Sequence, residues 1–263
     1  MCLIRREWVE AGLVRSLIGC WLYGALLRRE LMSIPHAIFK FVDVCDGKVV
    51  KWWNSARREF RTMAWSIPFM VGDLGVQLCP YVFATDARGG DNYGDCGAYG
   101  MVAAEISREL FRECLDKGQA IGRTIARLSG DLSGLRNPGK EIAATVPFSL
   151  LPNQLFDSAH THWMPLASGK WKYLDHITLG ECRTVVKLVQ MITREPGSRR
   201  HLCLSLQDNQ PTAFSLHKGR SPAPALNFLL RKKAGLCLLA CVRLLLPWVE
   251  SKKQPADEES RKL

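Results

Sequence analysis

Two short apolar runs, each closing on an aspartate, constrain the fold of this chain more than any other feature. Pro80-Tyr-Val-Phe-Ala-Thr-Asp86 is rich in β-forming residues and ends on Asp86; His201–Leu206 is a second such run, followed by Gln207 and Asp208. Short apolar runs bounded by polar turn residues predict buried strands. A carboxylate at the end of a strand emerges at the rim of its sheet, and two neighbouring strands would bring both carboxylates to one rim.

The surrounding sequence supplies the rest of an α/β pattern. After Asp86 comes a loop rich in Gly, Asp and Asn, then Cys96–Ala104, which reads as the second strand of a hairpin. Residues 106–117 predict a helix. The stretch from about 105 to 170 otherwise reads as an insertion, broken by Gly130, Gly134, Pro138, Gly139, Pro147, Pro152 and Pro165. Regularity returns with a strand at Lys170–Tyr173. Asp175–Glu181 leads into a helix over Cys182–Thr193. Then follow the His201–Leu206 strand, a helix over Pro224–Ala240, a strand over Val242–Val249, a polar loop to Asp257 and a charged tail expected to fray. The order β-β-insertion-β-α-β-α-β predicts a mixed five-stranded sheet with flanking helices.

The first 75 residues differ in character. Residues 7–42 carry helical periodicity broken at Pro35. Residues 54–67 predict a helix capped by Asn54 or Ser55, with Arg57, Arg58 and Arg61 as a basic face that is either solvated or set against nucleic acid. Trp52 and Trp53 before it suit core packing, with base stacking as the alternative. The expected division is therefore a helical segment at 1–75 and an α/β domain at 76–263.

Charge and cysteine usage narrow the function. The 263 residues carry 36 Lys+Arg and 25 Asp+Glu, a net +11; residues 81–181 are net −2 and residues 182–263 net +9. A carboxylate-rich middle beside a basic end suits metal-dependent chemistry on a polyanion, since metal sites need carboxylates and phosphates need Lys and Arg. The ten cysteines include no Cys-x-x-Cys pair and no zinc spacing. Cys203, Cys237 and Cys241 sit in apolar runs and read as small buried hydrophobes of a reducing, intracellular compartment, cytoplasmic or nuclear. The apolar runs 11–27 and 234–248 contain Arg15 and Arg243 and are too short or too charged for a bilayer, so buried helices and no membrane are expected. Arg5, Arg6, Glu7 and Glu10 occupy the place of a signal peptide's apolar core.

Four carboxylates then stand out together: Asp86, Glu181, Asp208 and Asp257. Singly each has a bland reading, because a strand-ending Asp usually serves a turn and a Glu in a first helical turn usually favours the dipole. Converging on one rim, they would ligate two Mg²⁺ ions about 4 Å apart, with Mn²⁺ as a substitute, and stabilise the attacking and leaving oxygens of a phosphodiester.

The order of these residues resembles the ribonuclease H domain of retroelement reverse transcriptases. In that family an Asp ends the first strand and a Gly-rich hairpin follows, here Phe-Ala-Thr-Asp86 and Cys96-Gly-Ala-Tyr-Gly. A His-Ile-Asn-x-x-Glu-like segment corresponds to His176-Ile-Thr-Leu-Gly-Glu181, an Asp-Asn pair after a strand to Leu206-Gln-Asp208-Asn209, and a closing Asn-x-Ala-Asp-x-x-Ser-Arg-like turn to Gln254-Pro-Ala-Asp257-Glu-Glu-Ser-Arg261. The resemblance covers about residues 78–261; residues 1–75 are similar to the preceding thumb and connection region, as in Leu13-Val-Arg-Ser-Leu-Ile-Gly19. It implies a ribonuclease H-like fold and hydrolysis of the RNA strand of RNA–DNA hybrids, with Asp86, Glu181, Asp208 and Asp257 as catalytic metal ligands.

The resemblance also implies the partners. Asn209 and Gln210 are placed to contact the hybrid's minor groove, with a turn or helix cap as the equal alternative. Lys218, Arg220, Arg231, Lys232 and Lys233 form a basic patch suited to phosphates. No Tyr-x-Asp-Asp polymerase motif is present, so the polymerase domain of the same element or polyprotein is the expected partner and the chain reads as a fragment or a degenerate copy. Three departures stand against the family pattern. The first two acids are 95 residues apart, Gln207 replaces the family's Thr, and residues 251–256 lack the His of many members. The rival readings are a catalytically decayed nucleic-acid-binding module of the same fold and a transposase- or integrase-type nuclease.

Overall fold

The computed structural model describes residues 2–91, 93–117 and 151–262. Half of the expected insertion, residues 118–150, therefore lies outside the described residues. The chain divides into two compact units: residues 1–77, 185–201 and 218–243 form the first, and residues 78–184, 202–217 and 244–263 the second.

The first unit opens with α1 (Cys2–Arg5), β1 (Trp8–Glu10) and α2 (Ala11–Ala25). A 3₁₀ segment at Leu26–Ser33, α3 (Ala37–Val44), β2 (Val49–Lys51) and α4 (Asn54–Ser66) follow. The expected continuous helical character over 7–42 is corrected at its start, where Trp8–Glu10 pairs antiparallel with Val49–Lys51. Trp8, Val9, Val49 and Val50 are β-branched or aromatic, and the pairing satisfies backbone groups that a helix start would leave open. The expected break at Pro35 falls between the 3₁₀ segment and α3. Asn54 and Ser55 do not cap α4; its N-cap is Trp53, without a side-chain cap. Trp52 is buried and stacks on Phe41 with ring centroids 5.2 Å apart, within a core that includes Val14, Ile18, Trp21 and Ile38.

The second unit is built on a five-stranded mixed sheet flanked by helices. Its strands are β3 (Gln77–Arg88), β4 (Ala98–Glu105), β5 (Met164–Lys170), β6 (His201–Leu206) and β7 (Arg243–Leu245), in the order β5-β4-β3-β6-β7. β3 and β4 form the expected antiparallel hairpin, and β5 pairs antiparallel with β4. Val82–Ala87 of β3 and Gly100–Ala104 of β4 are buried in unbroken runs, as strands covered on both faces must be. The hairpin turn needs Gly97, whose φ is +83° and whose Cβ would stand 2.3 Å from the Arg88 carbonyl oxygen.

Several expected elements are shifted. The strand expected at Lys170–Tyr173 lies at Met164–Lys170. Pro165 and Gly169 hide it from propensity, and an edge strand tolerates both. β7 is three residues long, not eight, because Pro247 has no N–H to continue a ladder; a single parallel bridge from Gln207 to Trp248 extends the contact. The remaining helices are α5 (Arg108–Lys117), α6 (Ile177–Arg194), α7 (Gln210–Lys218), α8 (Pro224–Leu239) and α9 (Asp257–Arg261), with α8 and the C-terminal part of α6 belonging to the first unit. α6 starts five residues before the expected Cys182, α7 was not expected, and the tail expected to fray is α9, in which Glu259 and Ser260 are buried. Among the described residues no helix is long and apolar enough to cross a membrane, and Cys203 and Cys237 are buried, whereas Cys241 is exposed rather than part of the core.

Candidate metal centre

The site begins with the adjacency of β3 and β6. Asp86 stands two residues before the end of β3 and pairs in register with Gly100 of β4. Asp208 follows the end of β6, where its carbonyl accepts a bond from Trp248 Nε1 at 2.7 Å. Glu181 is the fifth residue of α6, one turn inside the helix rather than at its opening. These three carboxylates bring one oxygen each to within 4.8 Å of one another, with Asp86 and Glu181 buried and Asp208 half-buried. Asp257 stands beside this group and is not part of it. It opens α9, and both of its oxygens accept bonds from Arg261 Nε at 2.8 Å.

The acids are held by neighbours that sequence reasoning passed over. Gln207 is fully buried, and its Nε2 donates to Glu181 Oε2 at 2.8 Å. Its own amide oxygen accepts from Thr85 Oγ1 at 3.2 Å, and its backbone is bonded on both sides, N–H to Pro247 O and C=O from Val249 N–H. Gln207 thus fixes the orientation of the central glutamate. Ser260 Oγ donates to Asp86 Oδ2, and Gln254 Nε2 donates to Thr85 O at 3.1 Å. Gly100 makes this possible: a Cβ there would lie 2.5 Å from Ser260 N, so only glycine lets α9 lie on β4. The glycine opposite Asp86 was the available sequence signal.

Crowding sets the electrostatics. Burial, then the charges of Asp86 and Asp208, push the Glu181 carboxyl up to about 9 from an ordinary 4.5, against the opposing bonds from the Ala87 backbone and Gln207. Burial likewise raises Asp86 to about 6 from 3.8; Ser260 opposes the rise, and Asp208 and Asp257 add to it. Like charges in one site repel, and desolvation penalises the charged forms of buried Asp86 and Glu181. An all-oxygen donor set of this kind fits a hard divalent cation, which would remove both penalties.

The residues expected to bind nucleic acid are dispersed. Asn209 is half-buried and caps α7, its Oδ1 accepting from Thr212 N at 3.0 Å, which is the cap alternative. Gln210, Lys218, Arg220 and Lys232 are exposed. The single basic patch is corrected at two positions. Lys233 is buried at 3% exposure, and Arg231 bonds Ser33 O, Ile34 O and Glu59 Oε1 at 2.7–2.8 Å. Consecutive helical residues lie about 100° apart, so Arg231, Lys232 and Lys233 cannot share a face.

No protein-family model matches the chain, and a search of curated proteins finds no match.

Proposed function

We propose that this chain is a ribonuclease H-like nuclease that hydrolyses the RNA strand of RNA–DNA hybrids during reverse transcription, inside the cell, alongside a polymerase domain of the same element. The observation that carries this reading is the convergence of Asp86, Glu181 and Asp208 from two neighbouring strands and a helix to within 4.8 Å. The order of the same residues in the sequence, and their resemblance to the retroelement ribonucleases H, supports it.

In this reading Asp86, Glu181 and Asp208 hold Mg²⁺, with Asp257 able to join once it releases Arg261. Two bound ions supply charge stabilisation and an activated water for phosphodiester hydrolysis. The chain's own contribution is positional. Gln207 fixes the Glu181 carboxylate, Ser260 fixes that of Asp86, and burial keeps Asp86 and Glu181 short of competing solvent. Exposed Gln210, Lys218, Arg220 and Lys232 are available to the hybrid, whose phosphates and 2′-hydroxyls carry no base code.

An integrase- or transposase-type nuclease is the second reading, and one observation favours it. Such enzymes generally close with an acidic residue on a helix, and Asp257 opens α9 rather than lying in a loop. Substrate choice separates the two. With end-labelled duplexes and Mg²⁺, the proposal expects cleavage of the RNA strand in a hybrid, none of a DNA duplex, and loss of cleavage to background in Asp208→Asn with hybrid binding retained. Cleavage of the DNA duplex would favour the second reading. Hybrid binding without cleavage in any divalent metal would identify a decayed binding module.

A further inference from the structure

A groove in the first unit, formed by α1 and one side of α4, concentrates positive charge; the Glu7 carboxylate feels Arg57 but does not line the groove. It encloses about 700 Å³ and is lined by Arg5, Arg57, Arg58, Arg61 and Trp65, among others. Among the described residues no carboxylate lines it, and none of the four arginines is in an ion pair. The acids nearby in sequence are engaged elsewhere. Glu59, also on α4, accepts from the backbone N–H of His36 and Ile38 and from Arg231, and Glu7 pairs with Lys51 at 2.6 Å.

Arg61 lies four positions after Arg57 and three after Arg58 on α4, spacings at which like charges cost stability. Arginine favours phosphate because its planar fork donates two parallel bonds to it. Arg57 is already oriented, its Nε donating to Ile4 O at 2.7 Å. The aromatic member is unusual too. Trp65 is 61% exposed, with the Arg61 guanidinium 5.7 Å from its ring centroid. A large flat ring left in water beside free guanidiniums is the combination that receives single-stranded nucleic acid, the ring stacking on a base and the charges tracking the backbone.

We propose that this groove binds single-stranded nucleic acid, with Arg5, Arg57, Arg58 and Arg61 on phosphates and Trp65 against a base. The inference goes beyond hybrid cleavage and does not depend on the acidic cluster.

The test is fluorescence anisotropy of the full chain with a labelled 20-nucleotide oligothymidylate, which contains no RNA to be cut, across a KCl series. Arg58→Ala/Arg61→Ala is expected to weaken binding about tenfold and to lower the salt slope by roughly 0.7 per lost contact. Arg58→Lys/Arg61→Lys is expected to keep the slope. Trp65→Ala is expected to weaken binding about tenfold with the slope unchanged. Asp208→Asn is expected to bind as wild type. All three groove positions are exposed, and thermal melting checks that the variants remain folded. Wild-type affinity and slope in both the alanine pair and Trp65→Ala would overturn the proposal. So would tighter binding of a DNA duplex of equal length, or equal competition by polyglutamate of matched charge. Groove-dependent binding by a protein that cuts no hybrid would leave this inference standing while the nuclease reading fell.

Discussion

The molecule buries two sets of charged groups on opposite terms. In the second unit, Asp86, Glu181 and Asp208 crowd together with neutral hydrogen-bond donors, Gln207 and Ser260, and the carboxyls of Asp86 and Glu181 rise well above their ordinary range although Arg261 pulls Asp86 the other way. In the first unit, Glu30 is largely buried as well, yet its carboxyl falls below its ordinary range. Burial raises it, but Lys233, Arg28 and Arg243 outweigh that effect. In one cluster the cations outweigh burial; in the other Arg261, paired with Asp257, does not. Structural ion clusters neutralise themselves, whereas a group of acids left uncompensated in a dry pocket marks a place for a cation from solution.

That contrast gives opposite signs for matched substitutions. Glu30→Gln strips buried Lys233 and Arg28 of their counter-charge and is expected to cost about 3 kcal/mol in denaturant unfolding. Glu181→Gln removes a repelled acid and is expected to be neutral, or stabilising by up to about 1 kcal/mol, when measured in chelator. Equal losses at both positions would dissolve the comparison.

A smaller effect sharpens it. Gln207→Ala leaves all three acids in place but frees Glu181 from its only side-chain donor among the described residues. The Mg²⁺ concentration for half-maximal hybrid cleavage is expected to rise about tenfold, with the maximal rate at saturating metal largely restored, because removal of a ligand's supporting partner weakens metal affinity by about 10–100-fold. A maximal rate that stays low at saturating metal would show that Gln207 does more than position Glu181.

Much of this was legible in the sequence, and the failures have physical causes. Short apolar runs bounded by turn residues located β3, β4 and β6, helical patterning located α4 and α8, and the strand-end logic found Asp86 and Asp208. β5 was displaced because an edge strand with Pro165 and Gly169 has no propensity signal. α9 is only five residues long, too short for periodicity, and is held by packing on β4 that Gly100 allows. α7 could have been found, since Asn209 as cap and Pro211 in the first turn are start signals. The burial of Lys233 was also available, because a helix separates Arg231, Lys232 and Lys233 onto different faces. The role of Gln207 was not legible: its amide meets Glu181 only after β6 and α6 are brought together.

The central claim, that the acidic cluster is a cation site, is tested most directly by thermal melting with and without Mg²⁺ at two pH values. With folded-state values of about 6 for Asp86 and about 9 for Glu181, both raised, the metal-free fold binds these protons more tightly than the unfolded chain. Their contribution therefore favours folding below about pH 4 and is lost as pH climbs through 6 and 9. Mg²⁺ competes with those protons, and a ligand bound only by the folded state raises Tm by mass action. The account predicts that about 10 mM Mg²⁺ raises Tm by a few degrees at pH 9 and barely at pH 5, and that Asp86→Asn/Asp208→Asn abolishes the difference. A Tm at pH 9 that ignores Mg²⁺, or that responds equally in the double variant, would contradict it.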